Sequence, residues 1–394
     1  MREGAPSLNP RPTPRAARPL RVRPVSAENA TLLKTPFHAS HVALGAKMVP
    51  FAGFEMPVQY PIGITAEHNA VRNGCGMFDV SHMGEFKITG PQALDFVNYV
   101  TSNNVAALVS GQVHYSGILY ENGTFVDDCL VYFRSNDHIM MVVNASNREK
   151  DFAHISKYVG KFDCKLEDIS ERIALLALQG PGAQKILQTL TDTDLEPIKY
   201  YHFTDGKVAG VGPMIISRTG YTGEDGFELY HDVKDAQAVW NAIMATGQVT
   251  PVGLGCRDSL RLEMGMALYG NDIDDTVTPL EANLGWLVKF KKGDFVGKAA
   301  LEAQKAAGVP RKLVGFTMAD KAFPRHGYPV FVNGAPSGLV CSGTMSPSLQ
   351  LPLGTCYVPT AHAVTGNTIE IDCRGKRVTA TITEMPFWKH GSHR

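Results

Sequence analysis

Apolar and polar positions alternate with a period of two over many short stretches of this chain, and the helical period of 3.6 occupies fewer of them. Neighbouring strand side chains point to opposite faces, so the alternation predicts strands. They fall over 113–120, 124–133 and 227–230, with strand-like character also over 78–83. The short apolar run 173–181, stopped by Gly180-Pro181, has the length of a buried strand. Amphipathic or helix-like patterns cover 67–76, 91–100, 183–190, 257–265 and 302–308. Thr35-Pro36 reads as a helix start, with threonine as cap and proline in the first helical position. Residues 47–60 are rich in aromatics and punctuated by glycine and proline, which predicts a loop and a short strand. Beyond residue 310 the pattern changes to strands alone, over 313–318, 328–333, 337–344, 368–373 and 377–382, which predicts a separate all-β domain.

Asn122-Gly123 joins two of these strands and predicts a two-residue turn, because both central residues of that turn need positive φ. The returning strand then carries Asp127 and Asp128, although aspartate is disfavoured there. Strand geometry sends the two side chains to opposite faces. One of them is therefore expected to face an interior or a cleft, where a carboxylate is costly unless something binds it. A strand whose first residues are still solvated would account for the pair equally well on this stretch alone.

Composition narrows the function classes. At 394 residues the chain has room for two or three domains. Lysine plus arginine and aspartate plus glutamate number 38 each, so no net field favours nucleic acid or an anionic membrane. No apolar run reaches the roughly 20 residues of a membrane helix. The seven cysteines are scattered without a Cys-x-x-Cys, which argues for reduced thiols in an intracellular compartment and against a zinc site. Residues 1–33 hold six arginines and many prolines and read as disordered. Such a stretch is a transit peptide to the mitochondrial matrix, an extension of a bacterial cytoplasmic protein, or the product of a start codon assigned too far upstream.

Several motifs point to chemistry that their surroundings do not complete. His38 and His41 share a helix face by spacing, yet no carboxylate or cysteine cluster nearby makes a metal site. Asp79, Ser81 and His82 lie together, but a Gly-x-Ser-x-Gly nucleophile turn is absent. The Gly-rich turn 219–225 lacks a following Gly-Lys-Ser/Thr, and Gly253-x-Gly255 has Asp258 where a dinucleotide site needs its third glycine. Arg257 and Arg261 are one helical turn apart. Such arginines usually pair with surface carboxylates, but a planar guanidinium at a helix start also clamps a carboxylate or a pterin edge.

Five segments carry a resemblance when taken in order. They are Met77-Phe78-Asp79-Val80-Ser81-His82-Met83-Gly84-Glu85-Phe86, the hairpin 120–133, Met140-Met141-Val142-Val143-Asn144 with the residues to Asp151, Arg218-Thr219-Gly220-Tyr221-Thr222-Gly223-Glu224-Asp225-Gly226-Phe227-Glu228, and Gly253-Leu254-Gly255-Cys256-Arg257-Asp258 with the residues to Glu263. Together they resemble the T-protein (aminomethyltransferase) family of the glycine cleavage system, from about residue 35 to 387. The resemblance implies a three-domain α+β cloverleaf around a central folate cavity, its last domain an all-β barrel or jelly roll. It divides the chain into a disordered extension over 1–33, a folate-binding aminomethyltransferase region of two interleaved α+β domains over 34–290, and a C-terminal β-barrel domain over 291–394.

The implied reaction takes the methylene of an aminomethyl-lipoyl arm on the H-protein to tetrahydrofolate, releasing ammonia and giving 5,10-methylenetetrahydrofolate, with no metal. By the same resemblance Asp128 is the catalytic aspartate and Glu228 accepts the 2-amino-pyrimidine edge of the pterin. Arg257 binds folate, and Tyr115, Asn144 and Tyr221 line its pocket. Asp127 is then structural, and the 77–86 segment runs along the cavity wall. Some family members place a C-terminal tyrosine against the folate; the tail here has none, so either Trp388 or Lys389 substitutes or the contact is missing. The alternatives are a related folate-dependent demethylase and a non-catalytic folate-binding module for iron–sulfur assembly. The latter's Lys-Gly-Cys-x-x-Gly-Gln-Glu motif is absent here.

Overall fold

The computed structural model describes residues 31–393, so most of the Arg-rich stretch read as a disordered extension lies outside the described residues. Its last residue, Leu33, is already tied down, its backbone N–H donating to Gly53 O and its carbonyl accepting from Glu55 N. The chain from Leu33 onward forms one unit. It is an α+β structure with three separate β bodies besides a short two-stranded hairpin, Lys47–Phe51 with Phe54–Gln59. Among the described residues no helix is long and apolar enough to cross a membrane.

A five-stranded antiparallel sheet runs in the order Gln112–Leu119, Phe125–Ser135, His138–Val143, Gly84–Thr89, Lys165–Asp168. A six-stranded sheet runs Phe203–Val208, Val211–Ser217, Gly226–Asp232, Ile173–Gln179, Gly76–Asp79, Thr250–Pro251, only the last pair being parallel. The chain visits the second sheet once at Gly76–Asp79, builds the whole first sheet, and then returns. One face of each sheet packs on the other, through Tyr132, Met140 and Val142 against Phe78, Leu175 and Tyr230. Their outer faces are covered by helices, Ala93–Val100 and Arg148–Val159 on the first and Ala183–Gln188 and Ala236–Ala245 on the second.

The third body is a closed six-stranded barrel over residues 311–383. Five of its strands were legible, and the sixth, Pro352–Pro359, was not, because proline at both ends and Gly354 inside read as breakers. That strand pairs with Arg311–Met318 on one side and Ala335–Met345 on the other, so without it the barrel cannot close. The barrel begins at Arg311, and the preceding Lys298–Ala307 helix does not belong to it. Its buried Leu301 packs with Leu119 and Phe125 at the end of the five-stranded sheet.

Two local expectations are corrected. Thr35 does not cap the first helix, which is His38–Ala43. Its hydroxyl instead donates to Asp79, and its carbonyl accepts from His38 N. The hairpin turn is also not the two-residue form with both central residues at positive φ. Gly123 alone has positive φ, +84°, and Tyr120 N donates to Thr124 O while Gly123 N donates to Tyr120 O. That is a three-residue loop, in which the glycine supplies the left-handed step after an ordinary turn.

Candidate active site

The facing sheets do not close completely on each other. Where they meet the Leu254–Glu263 helix and the barrel, they leave a cavity of about 410 Å³. Tyr115, Asp128 and Asn144 reach it from the five-stranded sheet and its following turn, Glu228 from the six-stranded sheet, Tyr221 from the Gly-rich loop, and Arg257 from the helix. All six residues singled out in the sequence thus border one space. Phe78, Val80 and Met83 of the 77–86 segment also line it.

A bulge in the aspartate strand sets the first group. Leu119 pairs with Phe125 and Ile118 with Asp127, so Val126 is an extra residue. From Asp127 the alternation is regular. Cys129, Val131 and Phe133 join the helix-covered core, while Leu130 and Tyr132 join the core between the sheets. Asp128 therefore faces the cavity and Asp127 faces the helix side, where it is completely buried.

Asp128 Oδ2 accepts from Tyr115 Oη at 2.7 Å, and its Oδ1 accepts from Asn144 Nδ2 at 2.8 Å. The same amide donates to Asp127 Oδ1 at 2.9 Å, so Asn144 bridges the two carboxylates. Burial pushes the Asp128 carboxyl up to about 7, and the nearby Asp127 pushes it the same way. The donors Tyr115 and Asn144 hold it back.

Glu228 stands in a row of hydroxyls. Its Oε2 accepts from Thr219 Oγ1 at 2.5 Å and Tyr230 Oη at 3.3 Å. Burial raises this carboxyl too, against the opposing pull of Thr219 and Arg257. The guanidinium carbon of Arg257 lies 4.7 Å from the centroid of the Tyr221 ring, and the Tyr221 hydroxyl is anchored to Ala267 O. Burial lowers the Arg257 pKa, and the nearby Tyr221 and Glu228 act against that shift. The neighbouring Arg261 has a different fate. It is locked by Asp258, by Asp272 at 2.6 Å and by Ser342 at 2.7 Å, which ties the helix to the barrel.

Gly253 is what lets this helix come so close. A Cβ there would stand 2.6 Å from Val58 O of the two-stranded hairpin, and Gly253 N–H donates to the buried Glu67.

The structure also adds residues that the sequence did not single out. Gln179, Tyr201, Trp286, Met385 and Pro386 all border the cavity. Trp286 is 57% exposed, with its ring 6.1 Å from that of Tyr115. An exposed tryptophan in a Gly285-Trp286 turn was the available signal. The tail expectation is corrected: Trp388 lies over the Arg72 guanidinium at 5.2 Å and donates its backbone N–H to Glu263 O, and Lys389 is exposed. Neither lines the cavity, and Met385 and Pro386 take that edge of the wall.

The Asp79, Ser81 and His82 group is not a triad. Asp79 Oδ2 pairs with His41 at 2.9 Å and with Thr35, and the Ser81 hydroxyl donates to Leu175 O. His38 pairs with Glu55 at 2.7 Å, so the two helix histidines go to separate carboxylates. Among the described residues no group of three or more His, Cys, Asp or Glu could hold a metal ion.

Comparison with known proteins gives a consistent picture. The family model for the GCVT N-terminal domain matches residues 37–292, and that for the glycine cleavage T-protein C-terminal barrel domain matches residues 311–389. The aminomethyltransferase of Phocaeicola vulgatus is 50% identical over 360 residues, covering 90% of this chain and 99% of its own. That of Lysinibacillus sphaericus is 46% identical over 361 residues, covering 91% and 98%. The crystal structure of the glycine cleavage system aminomethyltransferase T from Bartonella henselae superposes with a TM-score of 0.88 at 34% identity, over 92% of this chain and all of that one.

Proposed function

The chain belongs to the glycine cleavage T-protein family and is an aminomethyltransferase, and from that premise we propose that its cavity passes a methylene group from the aminomethyl-lipoyl arm of an H-protein to tetrahydrofolate. Ammonia leaves, and 5,10-methylenetetrahydrofolate and a dihydrolipoyl arm are formed. The observation that carries the reading is the placement of Asp128 and Glu228, on facing sheets, against one cavity that also holds Arg257.

In this proposal Glu228 accepts the paired N–H donors of the pterin's 2-amino-pyrimidine edge, a match for two carboxylate oxygens. Arg257, backed by Tyr221, binds the folate from the helix side. Asp128 then stands at the nitrogens that attack the methylene. Two N–H protons are lost there. One completes the departing ammonia and the other the thiol of the arm, so the aspartate is needed to orient the folate and relay or stabilise charge during transfer. A carboxyl held near 7 can take and return a proton at neutral pH, which an ordinary aspartate does poorly. Tyr115 and Asn144 keep it aimed into the cavity.

No step in this scheme calls for a metal. The 34–290 region supplies the proposed folate site, and the barrel domain contributes a wall of the cavity through Leu313 and the segment after its last strand. The named relatives are bacterial proteins, which supports a cytoplasmic site of action.

The test is ammonia release from aminomethyl-loaded lipoyl H-protein, with and without tetrahydrofolate, for the wild type and Asp128→Asn. Folate-dependent release that collapses in the variant while folate still binds is the expected result. A folded wild type that releases no ammonia in response to folate would overturn the reading in favour of methylated amines or sulfonium compounds as donors.

A further inference from the structure

Asp127 does not touch the cavity, yet more polar groups converge on it than on Asp128. Asn144, Asn147 and Asp151 follow one another at spacings of three and four as the chain turns into the Arg148–Val159 helix. Asn144 is still extended, ahead of the turn, and Asn147 and Asp151 stand one helical turn apart on the same side. Asn144 donates to Asp127 twice, from its backbone N–H at 3.0 Å and its side chain at 2.9 Å, and Asn147 Nδ2 donates at 2.7 Å. Burial raises the Asp127 carboxyl, and these three N–H donors work against it by favouring the charged form.

Asp151 is the odd member of the set. It is also completely buried, and among the described residues no N–H or O–H donor reaches either of its oxygens. One helical turn before it, Asn147 donates to Asp127 at 2.7 Å, and the Asp151 carboxyl meets the Asp127 carboxyl on that same side. Two buried carboxylates cannot both stay ionised side by side with no donor between them.

From this geometry we infer that Asp151 is a neutral carboxylic acid that donates its own proton to an ionised Asp127, and that this pair, acting through Asn144, positions Asp128. The inference rests on the reading of Asp128 given under the proposed function. Asp151 and Asp127 are positioning residues, not catalytic ones, since neither reaches the cavity. The other ionisable groups facing the pair are Lys150 on the same helix, Asp128 and Cys129 on the strand, Tyr120 at the hairpin, and Tyr269 from the loop after the Leu254–Glu263 helix. Lys150 is spoken for by the Tyr269 hydroxyl at 2.8 Å, and His154 Nε2–H donates to Leu119 O at 3.0 Å. Burial first, then Asp127, pushes the Asp151 carboxyl well above the usual carboxylate range.

Two measurements on the full chain test this. Carbon-13 NMR of labelled aspartate side chains should show the Asp151 carboxyl protonated at pH 7, assigned by its loss in Asp151→Asn. A carboxyl that is ionised at pH 7 overturns the inference, whether or not the enzyme turns over. In the ammonia-release assay Asp151→Leu, which cannot donate to Asp127, should lower kcat about ten- to a hundredfold with little change in the KM for tetrahydrofolate. Asp151→Asn, which keeps a neutral donor there, should recover most of that loss and keep the wild-type pH profile. Asp127→Asn should move the acid limb of that profile to lower pH, because it removes the anion beside Asp128. Leucine behaving as wild type, or asparagine behaving as leucine, refutes the positioning role. A wild type that is silent towards folate would defeat the functional reading and leave the NMR result to decide the protonation of Asp151.

Discussion

Replacing Asp128 by asparagine should stabilise the protein while it destroys turnover, and the stabilisation should depend on pH. Burial and Asp127 hold this carboxyl at about 7, against its ordinary 3.8. At about 1.4 kcal/mol per unit, ionising it costs the folded protein about 4 kcal/mol more than ionising it in the unfolded chain. The sign follows from the raised folded value. The group's contribution to stability is full below the unfolded value and is lost as pH rises through about 7.

Two effects reduce the gain expected from the amide. Asp128 borders a partly open cavity, where solvent access screens part of the cost, and asparagine gives up one hydrogen bond, worth about 1 kcal/mol. The net gain at pH 8 should then be about 1–2 kcal/mol, or a rise in Tm of about 1–2.5 °C for a chain of this size. At pH 5 the gain should vanish. Thermal unfolding of both proteins from pH 5 to 8 measures the gap directly. In the same range wild-type turnover should climb through an acid limb near 7, and the variant should lie about a hundred- to ten-thousandfold lower. A stability gap that does not change with pH, or that favours the wild type more at pH 8 than at pH 5, would refute the account of Asp128 as a carboxyl strained by its site.

Other positions give independent tests. Glu228→Gln turns one acceptor towards the pterin into a donor, so tetrahydrofolate should bind about ten- to a hundredfold more weakly by calorimetry; unchanged binding would remove Glu228 from the folate site. Asp272→Ala leaves Arg261 nearly fully buried without the partner that holds it at 2.6 Å, and should cost about 3–5 kcal/mol in urea unfolding. A cost below about 1 kcal/mol would mean that Asp258 alone satisfies the guanidinium. Gly123→Ala places a Cβ 3.1 Å from the Leu301 side chain at φ +84°, and should cost about 1–2 kcal/mol with activity retained.

The candidate site was legible because its residues break local rules. An Asp pair inside a β-branched strand, an arginine at a helix start and a glutamate in an alternating strand have no packing reason to be there. Each could be picked out from its neighbours within a few residues. The residues that went unnoticed obey local rules instead. Gln179 ends a buried strand and Met385-Pro386 follows the last barrel strand, and only their neighbours across the fold make them cavity residues. The Trp388 expectation failed for the same reason, since a tail can be placed only after the surface that receives it is known. Pro352–Pro359 was lost because breaker residues outweigh alternation in a short window, although a barrel accepts proline at strand ends where no ladder donor is needed.

By itself the amino-acid order determined many of the strands and helices, that the two aspartates point to opposite faces, and the set of residues that resembles one enzyme family. These are short-range properties, governed by side-chain periodicity and backbone dihedrals over a few residues. It could not say which aspartate faces which way, because a shift of one residue exchanges the faces and the bulge at Val126 introduces just such a shift. Nor could it show that Asn144 bridges both carboxylates or that Asp151 faces Asp127 with no donor between them. Those facts depend on how a sheet, a turn and a helix pack together, and burial at that junction, a long-range property, is what moves the Asp128 carboxyl to the range where it can exchange a proton.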